Sequence, residues 1–145
     1  MGNIIIGIDP DCERSGVAIK DLSNGNVKLM DLSFLGLYEE LSFAPQTIKK
    51  VYIECGFLNK GNFHLSAIKS VRAAAEIGNR TGRNQETARK ICELMEWRGI
   101  PYEMVKPTQA KITTQKAFKA LTGIDSPKGK YAQDMRDAYM LIHGR

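Results

Sequence analysis

The sequence predicts an α/β fold in which helices flank a central mixed five-stranded sheet. The chain opens with an apolar run of β-branched residues, which favour the pleated conformation of a strand. An Asn-Gly pair at residues 24–25 then separates two further strand-like segments, as in a β-hairpin. Beyond residue 33, segments with apolar residues at helical spacing alternate with two more short apolar strands. This pattern predicts one α/β domain over residues 1–145.

The first strand is the most apolar part of the chain. Its isoleucines would be buried on both faces, as expected for a central strand: Ile4, Ile5, Ile6 and Ile8. Asp9 ends this run, residues 10–15 form a turn, and residues 16–19 resume as a second strand. Asn24-Gly25 is expected to adopt the positive φ values of a tight primed turn, followed by a third antiparallel strand at residues 27–32.

The later elements follow from helical spacing and from helix-ending residues. Asp31 or Ser33 can cap a helix at residues 34–43, which Pro45 closes, and residues 51–55 form a buried strand followed by a loop at residues 56–63. Helices are predicted at residues 65–77, 85–98, 108–121 and 131–143, with a break at residues 80–84 and a strand at residues 101–106. Trp97 belongs to one of these helices, which favours core or interface packing over base stacking.

Composition places the chain among ordinary globular proteins. Its 145 residues are 43% hydrophobic and 26% charged, and no apolar run approaches the length needed to span a membrane. The first residues lack the features of a signal peptide, so we expect a cytoplasmic location and no membrane partner. The three cysteines lie far apart without a Cys-x-x-Cys pair, which predicts free thiols rather than disulfides or a zinc site.

Positive charge is concentrated in two segments. The formal net charge is +5, but six basic residues face two acidic ones at residues 69–90, and six lysines face one acidic residue at residues 106–130. Clustered basic side chains displace counterions from phosphates, so a polyanion is the natural partner. Arg80 and Arg83 in the first segment are candidate nucleic-acid contacts. The alternative is that both segments are solvated helix faces that bind nothing specific.

Four carboxylates are candidates for chemistry. Asp9 and Glu54 each lie near the carboxyl end of an apolar strand, where open α/β sheets place their ligand sites. Asp134 and Asp137 are three residues apart, so both project from one side of the last helix and repel each other unless a cation lies between them. The structural alternatives are that Asp9 begins a polar turn and bonds nearby backbone, and that Glu54 lies on an exposed sheet edge.

Converging carboxylates without histidine or cysteine favour hard divalent ions, Mg²⁺ or Mn²⁺, over zinc. Two such ions about 3.5–4 Å apart can activate a water and stabilise the leaving oxygen of a phosphodiester. Acids for metals beside lysines for phosphates predict a nuclease.

The order of elements resembles the ribonuclease H-like fold, and three motifs resemble RuvC-type Holliday junction resolvases. They are Gly7-Ile8-Asp9-Pro10 with Gly16 nearby, Glu54-Cys55-Gly56-Phe57, and Asp134-x-x-Asp137-Ala138. The resemblance covers almost the whole chain.

The resemblance implies a metal-dependent endonuclease that resolves four-way junctions or other branched DNA by paired symmetric nicks. Asp9, Glu54, Asp134 and Asp137 would be the catalytic acids and would bind two Mg²⁺ ions per site, with Mn²⁺ as a substitute. Phe57 would be the aromatic inserted at the junction centre, unless it is a core residue. Lys111 and Lys116 match basic positions of the family. A homodimer in a bacterial or phage-infected cell is expected, with residues 66–77 forming either the interface or internal packing.

The chain departs from the bacterial pattern in two places. Ile112-Thr113-Thr114-Gln115 replaces a glycine-rich stretch, and residues 66–99 are longer and more polar, which is more typical of a divergent or phage-encoded member. Three alternatives stay open: a nuclease of the same fold that processes structured RNA, a protein that binds branched nucleic acid without cutting it, and an actin-like or sugar-kinase ATPase. An ATPase of that kind needs a second domain, for which 145 residues leave no room.

Overall fold

A computed structural model describes residues 2–59 and 71–145. Within them lie five strands, β1 (Ile4–Asp9), β2 (Ser15–Asp21), β3 (Val27–Leu32), β4 (Ile48–Glu54) and β5 (Tyr102–Val105), and four α-helices, α1 (Phe34–Ser42), α2 (Val71–Arg98), α3 (Gln115–Thr122) and α4 (Ala132–Met140). The strands form one mixed sheet in the order β3-β2-β1-β4-β5. β1, β2 and β3 pair antiparallel, whereas β4 and β5 run parallel to β1. The predicted mixed five-stranded sheet is confirmed.

The sheet has a different core on each face, because successive side chains of a strand point to opposite sides. Ile6 and Ile8 of β1 pack with α1 and α2, and Ile5 packs with α3 and α4. On β4, Val51 and Ile53 share the first face and Tyr52 the second, so Glu54 points toward α4 as its alternation with Tyr52 predicts.

The β2–β3 hairpin is present, but its turn is wider than expected. The loop spans residues 22–25, closed by a hydrogen bond from Asp21 N to Asn26 O, and Gly25 alone in it has a positive φ, of 76°. A primed two-residue turn at Asn24-Gly25 is therefore wrong. Ser33 is the cap of α1, since its hydroxyl accepts from Gly36 N at 3.1 Å.

The predicted break at residues 80–84 is also wrong, because α2 continues through it. Glycine in a helix costs only about 1 kcal/mol, so Gly82 lowers stability without ending the helix. The apolar pattern stops there for another reason. The half of α2 before Ala88 is largely exposed, and its buried side chains begin at Ala88. The predicted start of a helix at residue 65 and the second half of the loop at 56–63 lie outside the described residues.

Two further expectations differ from the structure. The helix predicted from residue 108 begins at Gln115, where the Thr114 hydroxyl accepts from Ala117 N and caps it. Trp97 is 68% exposed and stacks on Tyr38, so it is not a core residue. Its place at an interface stays a prediction.

All three cysteines are free thiols, as predicted. In the part of the chain that the structure describes, no helix is both long enough and apolar enough to cross a bilayer.

Candidate active site

Two of the predicted acids end neighbouring strands at the same edge of the sheet. The parallel register of β1 and β4 places Ile8 opposite Ile53, and Asp9 and Glu54 are the next residues along each strand. Both side chains follow the alternation that turns them toward α4. The acids therefore lie side by side at the carboxyl ends of two central strands, the position where such sheets bind ligands.

The other two acids arrive on α4, which packs very closely against the sheet. A Cβ atom on Gly16, the residue paired with Asp9, would lie 2.1 Å from Asp134 O, and one on Gly7 would lie 2.1 Å from Ala138 O. Since no side chain fits in either gap, glycine on β1 and β2 is what lets the backbone of α4 reach the strands. This close approach brings the Asp134 and Asp137 side chains to Asp9.

The carboxylates influence one another strongly. Burial raises the pKa of Asp9 well above its ordinary value, and the neighbouring charges of Glu54, Asp134 and Asp137 raise it further, against the opposing effect of Lys111. A side-chain hydrogen bond with Asp9 lowers the pKa of Asp134 against the larger effect of burial, so the two carboxyl groups lie close together. The structure thus brings together all four acids that the sequence singles out.

Lys111 is placed among these acids. Its Nζ donates to Glu54 Oε1 at 2.8 Å and lies 3.7 Å from Asp137 Oδ2. Burial alone would lower the pKa of Lys111, but the hydrogen bond to Glu54 and the charges of Glu54, Asp137 and Asp9 raise it. The ammonium is therefore charged and offsets part of the negative charge of the site.

Two residues beside the acids on α4 position one of them, and the sequence patterns did not single them out. Gln133 Nε2 donates to Asp137 Oδ1 at 2.8 Å and to Ile112 O at 3.0 Å. Arg136 is buried, and its Nη2 donates to Gln133 Oε1 at 2.9 Å. The spacing of Gln133 and Asp137, four residues apart on a helix, is the signal that could have indicated this pair.

A fifth carboxylate, Asp11, also borders the site, although the sequence patterns do not single it out. Asp11 is 8% exposed, and its carboxylate accepts hydrogen bonds from Arg80 Nη2 at 2.9 Å and from Glu13 N at 2.8 Å. The bond from Glu13 N forms a local turn of the kind that is the structural alternative for Asp9. Burial raises the pKa of Asp134 to about 6, and the charge of Asp11 is the next largest cause. The signal in the sequence that could have indicated Asp11 is the Asp-Pro-Asp run, in which a second acid follows two residues after Asp9.

The loop that carries Asp11 also connects α2 to α4. Cys12 N donates to Asn84 Oδ1 at 2.9 Å, so α2 is held at two neighbouring turns, by Arg80 and by Asn84. Glu13 accepts from Tyr131 Oη at 2.8 Å, next to the start of α4. Arg80, predicted to contact nucleic acid, is thus paired with carboxylates of this loop.

The other candidate nucleic-acid residues occupy three different settings. Arg83 and Lys116 are exposed and form no ion pair with any residue in the ranges 2–59 and 71–145. Phe57 lies in a short 3₁₀ turn directly after β4, is partly buried against the core, and has the Arg89 guanidinium 4.7 Å from its ring centre. Its role as a wedge stays a prediction.

The donor atoms of the site fit a hard divalent cation, but they do not surround one in this conformation. Carboxylate oxygens are the ligands that Mg²⁺ and Mn²⁺ prefer. Among the residues that the structure describes, no group of three or more His, Cys, Asp or Glu side chains is arranged to hold a metal ion. The ammonium of Lys111 contacts two of the acids, Glu54 and Asp137. A metal ion in this site would take over the neutralising role of the Lys111 ammonium.

Comparison with known proteins identifies the fold and no more. No protein-family model and no curated protein matches the chain. Among solved structures, RuvC of T. thermophilus in complex with a Holliday junction substrate is similar, with 14% sequence identity and a TM-score of 0.50. The similarity covers 95% of this chain and 89% of that one. The chain therefore has the predicted ribonuclease H-like fold, and membership of the resolvase family stays a prediction.

Proposed function

We propose that this chain is a metal-dependent endonuclease that resolves Holliday junctions or related branched DNA by paired symmetric nicks. The observation that carries the proposal is the meeting of Asp9, Glu54, Asp134 and Asp137 at the carboxyl edge of a ribonuclease H-like sheet. A structural neighbour with the same fold is RuvC, which was solved with a Holliday junction substrate. That likeness concerns the fold, so the choice of substrate is a proposal.

The four acids would hold up to two divalent ions. Mg²⁺ held by these acids would activate the attacking water and would stabilise the leaving oxygen of the phosphodiester. The chain itself supplies orientation: Gln133 holds Asp137 and the Asp11 loop holds α2 beside the site. Lys111, which contacts Glu54 and Asp137, would be available to a phosphate bound at the acids.

Exposed cations outside the acid cluster would hold the rest of the DNA. Arg83 and Lys116 are suited to phosphates because their charges are not neutralised by neighbouring acids among the described residues. A homodimer would supply two sites related by a two-fold axis, which suits a substrate whose strands are cut in pairs.

The test is cleavage of a synthetic four-way junction, compared with a linear duplex of the same sequence and a structured RNA of similar length. We expect Mg²⁺-dependent paired nicks in the junction alone, and Mn²⁺ should substitute for Mg²⁺. Equal cutting of junction and duplex would reject junction specificity, and cutting confined to the RNA would favour the RNA-processing alternative.

Asp9→Asn tests the acid cluster in the same assay. We expect loss of cutting with unchanged or tighter junction binding, because the metal site is lost while negative charge facing the DNA is reduced. Asp125→Asn is the matched control, since this aspartate is largely exposed and its ion-pair partner, Lys119, is exposed as well. Retained cutting by Asp9→Asn would remove Asp9 from the site.

A protein that binds branched DNA without cutting it is the second candidate. It is favoured by the Lys111 ammonium, which already neutralises Glu54 and Asp137, two of the acids that would hold a metal ion. This candidate predicts a stable complex with the junction and no nicks in either Mg²⁺ or Mn²⁺. Nicks by the wild-type chain that disappear in Asp9→Asn would exclude it.

A further inference from the structure

A cavity of about 240 Å³ opens beside the acids, between the end of β5, the segment after it and the end of α4. We call it the β5–α4 pocket. Part of its wall is apolar, formed by Val105, Ile112, Met140 and Leu141. Each of these side chains packs against the core between the sheet and helices α3 and α4, but each is only partly buried. The fold therefore leaves apolar surface facing the cavity. Concave apolar surface with a few polar groups is typical of ligand sites.

The polar part of the wall carries both signs of charge. Glu54, Asp137 and Lys111 of the candidate active site line the cavity, so the two are continuous. Lys106 and Arg145 line it as well, and neither forms an ion pair within residues 2–59 and 71–145.

Arg145 is held in place at this wall. Its guanidinium lies 4.2 Å from the ring centre of Tyr52, and its Nε donates to Leu141 O at 2.9 Å. A fixed guanidinium and an exposed ammonium at Lys106 are suited to binding an anion.

A nucleotide matches this combination of surfaces. A nucleobase presents two flat faces that bind to apolar walls, while its phosphate seeks cations such as Lys106 and Arg145. Because the pocket is continuous with the acids, a nucleotide held there would belong to the strand whose phosphate lies at the acids. A base stacked in a duplex cannot enter a cavity of this kind, whereas unstacking costs least where pairing is already interrupted.

We propose that the β5–α4 pocket binds one unstacked nucleotide of the cleaved strand, next to the phosphate that is cut. The base contacts Ile112 and Met140, and the phosphate of the same nucleotide contacts Lys106 and Arg145. The choice of a nucleotide as ligand rests on the proposed nuclease function. The pocket adds to that function a place where an extruded base is recognised, and so a reason for preferring branched DNA.

The decisive experiment measures binding without cleavage. The protein is labelled at the methyl groups of Met and Ile and titrated with each deoxynucleoside 5′-monophosphate in the absence of Mg²⁺. We expect weak, saturable shifts of the Met140 and Ile112 methyl signals, with Met95 and Ile91 of the opposite core unchanged. Inorganic phosphate at the same concentrations should leave the Met140 signal unchanged, because phosphate has no base.

Two matched pairs of variants complete the test. Ala110→Trp fills the pocket from an exposed position of its wall and should abolish the shifts, whereas Ala120→Trp, on the exposed surface of α3, should preserve them. Lys106→Ala should weaken binding of the monophosphate but not of the free nucleoside. Lys49→Ala, at the other end of β4, should change neither.

Absence of methyl shifts, or shifts that persist in Ala110→Trp, would overturn the pocket assignment whether or not the chain cuts DNA. If the chain does cut junctions, Ala110→Trp should also cut them about tenfold more slowly than Ala120→Trp. Nucleotide binding at Met140 together with no cutting of any DNA would keep the pocket and reject the nuclease proposal, so the two failures are distinguishable.

Discussion

At the scale of single residues, Lys111 is the side chain on which the acid cluster depends. It approaches Glu54 and Asp137 together, and both carboxylates are mostly buried, with side chains 10% exposed. Buried carboxylates without a cation are costly, so this ammonium stabilises the metal-free protein. The same position makes it a competitor of any divalent ion.

Lys111→Ala should therefore destabilise the metal-free protein. We expect the free energy of unfolding to fall by about 2 kcal/mol in EDTA, measured by urea denaturation, and the loss to shrink in Mg²⁺ because the ion replaces the missing charge. Lys119→Ala is the control, since its ion pair with Asp125 is exposed and worth less than about 1 kcal/mol. An equal loss with and without Mg²⁺ would show that no ion takes the place of Lys111.

Asp134 gives the metal-free protein a dependence on pH. Its pKa is raised from 3.8 to about 6 by burial, followed by the charge of Asp11. A carboxyl that is more easily protonated in the folded state stabilises it fully below the unfolded pKa, and this contribution is lost as pH rises through about 6. Asp9, whose pKa is also raised, acts in the same direction.

In EDTA, Asp134→Asn should therefore become more stable relative to wild type as the pH rises. The gain should reach on the order of 2 kcal/mol above the pKa of Asp134, and urea denaturation from about pH 4.5 to about pH 7.5 measures it. Mg²⁺ should reduce the difference by stabilising the wild type. A stability difference that does not vary with pH would contradict the raised pKa.

At the scale of elements, the contact between α4 and the sheet determines where Asp134 and Asp137 lie. Gly7 and Gly16 face the α4 backbone at distances that exclude a Cβ atom. Neither has a positive φ, so these glycines are required by space and not by backbone conformation.

Gly16→Ala should displace α4 and destabilise the protein by about 3 kcal/mol, with loss of activity because Asp134 moves away from Asp9. Gly36→Ala is the matched control. Its new Cβ would meet no atom closer than 3.4 Å, and alanine improves helix propensity in α1 by up to about 1 kcal/mol. Thermal unfolding and junction cleavage of the two variants check both expectations, and a fully active Gly16→Ala protein would contradict this account.

At the scale of the whole molecule, the basic side chains of the described residues divide into those that form ion pairs with acids and those that do not. Arg80 forms ion pairs with Asp11 and Glu13 of the loop beside the site. Arg83, less than one turn further along α2, is exposed and makes no ion pair with the described residues. Arg80 therefore has a structural role, whereas Arg83 is available for the proposed contact with DNA.

Arg83→Ala should lower the slope of log affinity against log salt for junction binding by about one, because one phosphate contact is lost. Arg80→Ala should change that slope less and lower the free energy of unfolding more, since it leaves the buried Asp11 without its cation. Fluorescence anisotropy of a labelled junction at several salt concentrations measures the slopes. Equal slopes for Arg83→Ala and wild type would remove Arg83 from the interface.

Local patterns in the sequence were sufficient to predict the sheet and the place of the acids within it. β-Branched runs and the alternation of Tyr52 and Glu54 predicted the five strands and the faces of their side chains, because these signals are local. The two-residue period of a strand and the spacing of Asp134 and Asp137 on a helix follow from backbone geometry alone. The ribonuclease H-like fold was predicted from a resemblance, which lies in the order of these elements along the chain.

The surroundings of those acids could not be predicted from local patterns. The continuity of α2 through residues 80–84, the pairing of Arg80 with Asp11, and the position of Lys111 all depend on contacts between segments far apart in sequence. A break in the apolar pattern has the same appearance in a sequence whether the helix ends or becomes exposed. Burial and close packing determine which charged side chains meet and which have no partner. Here the close approach of α4 to the sheet over two glycines is the packing that does so.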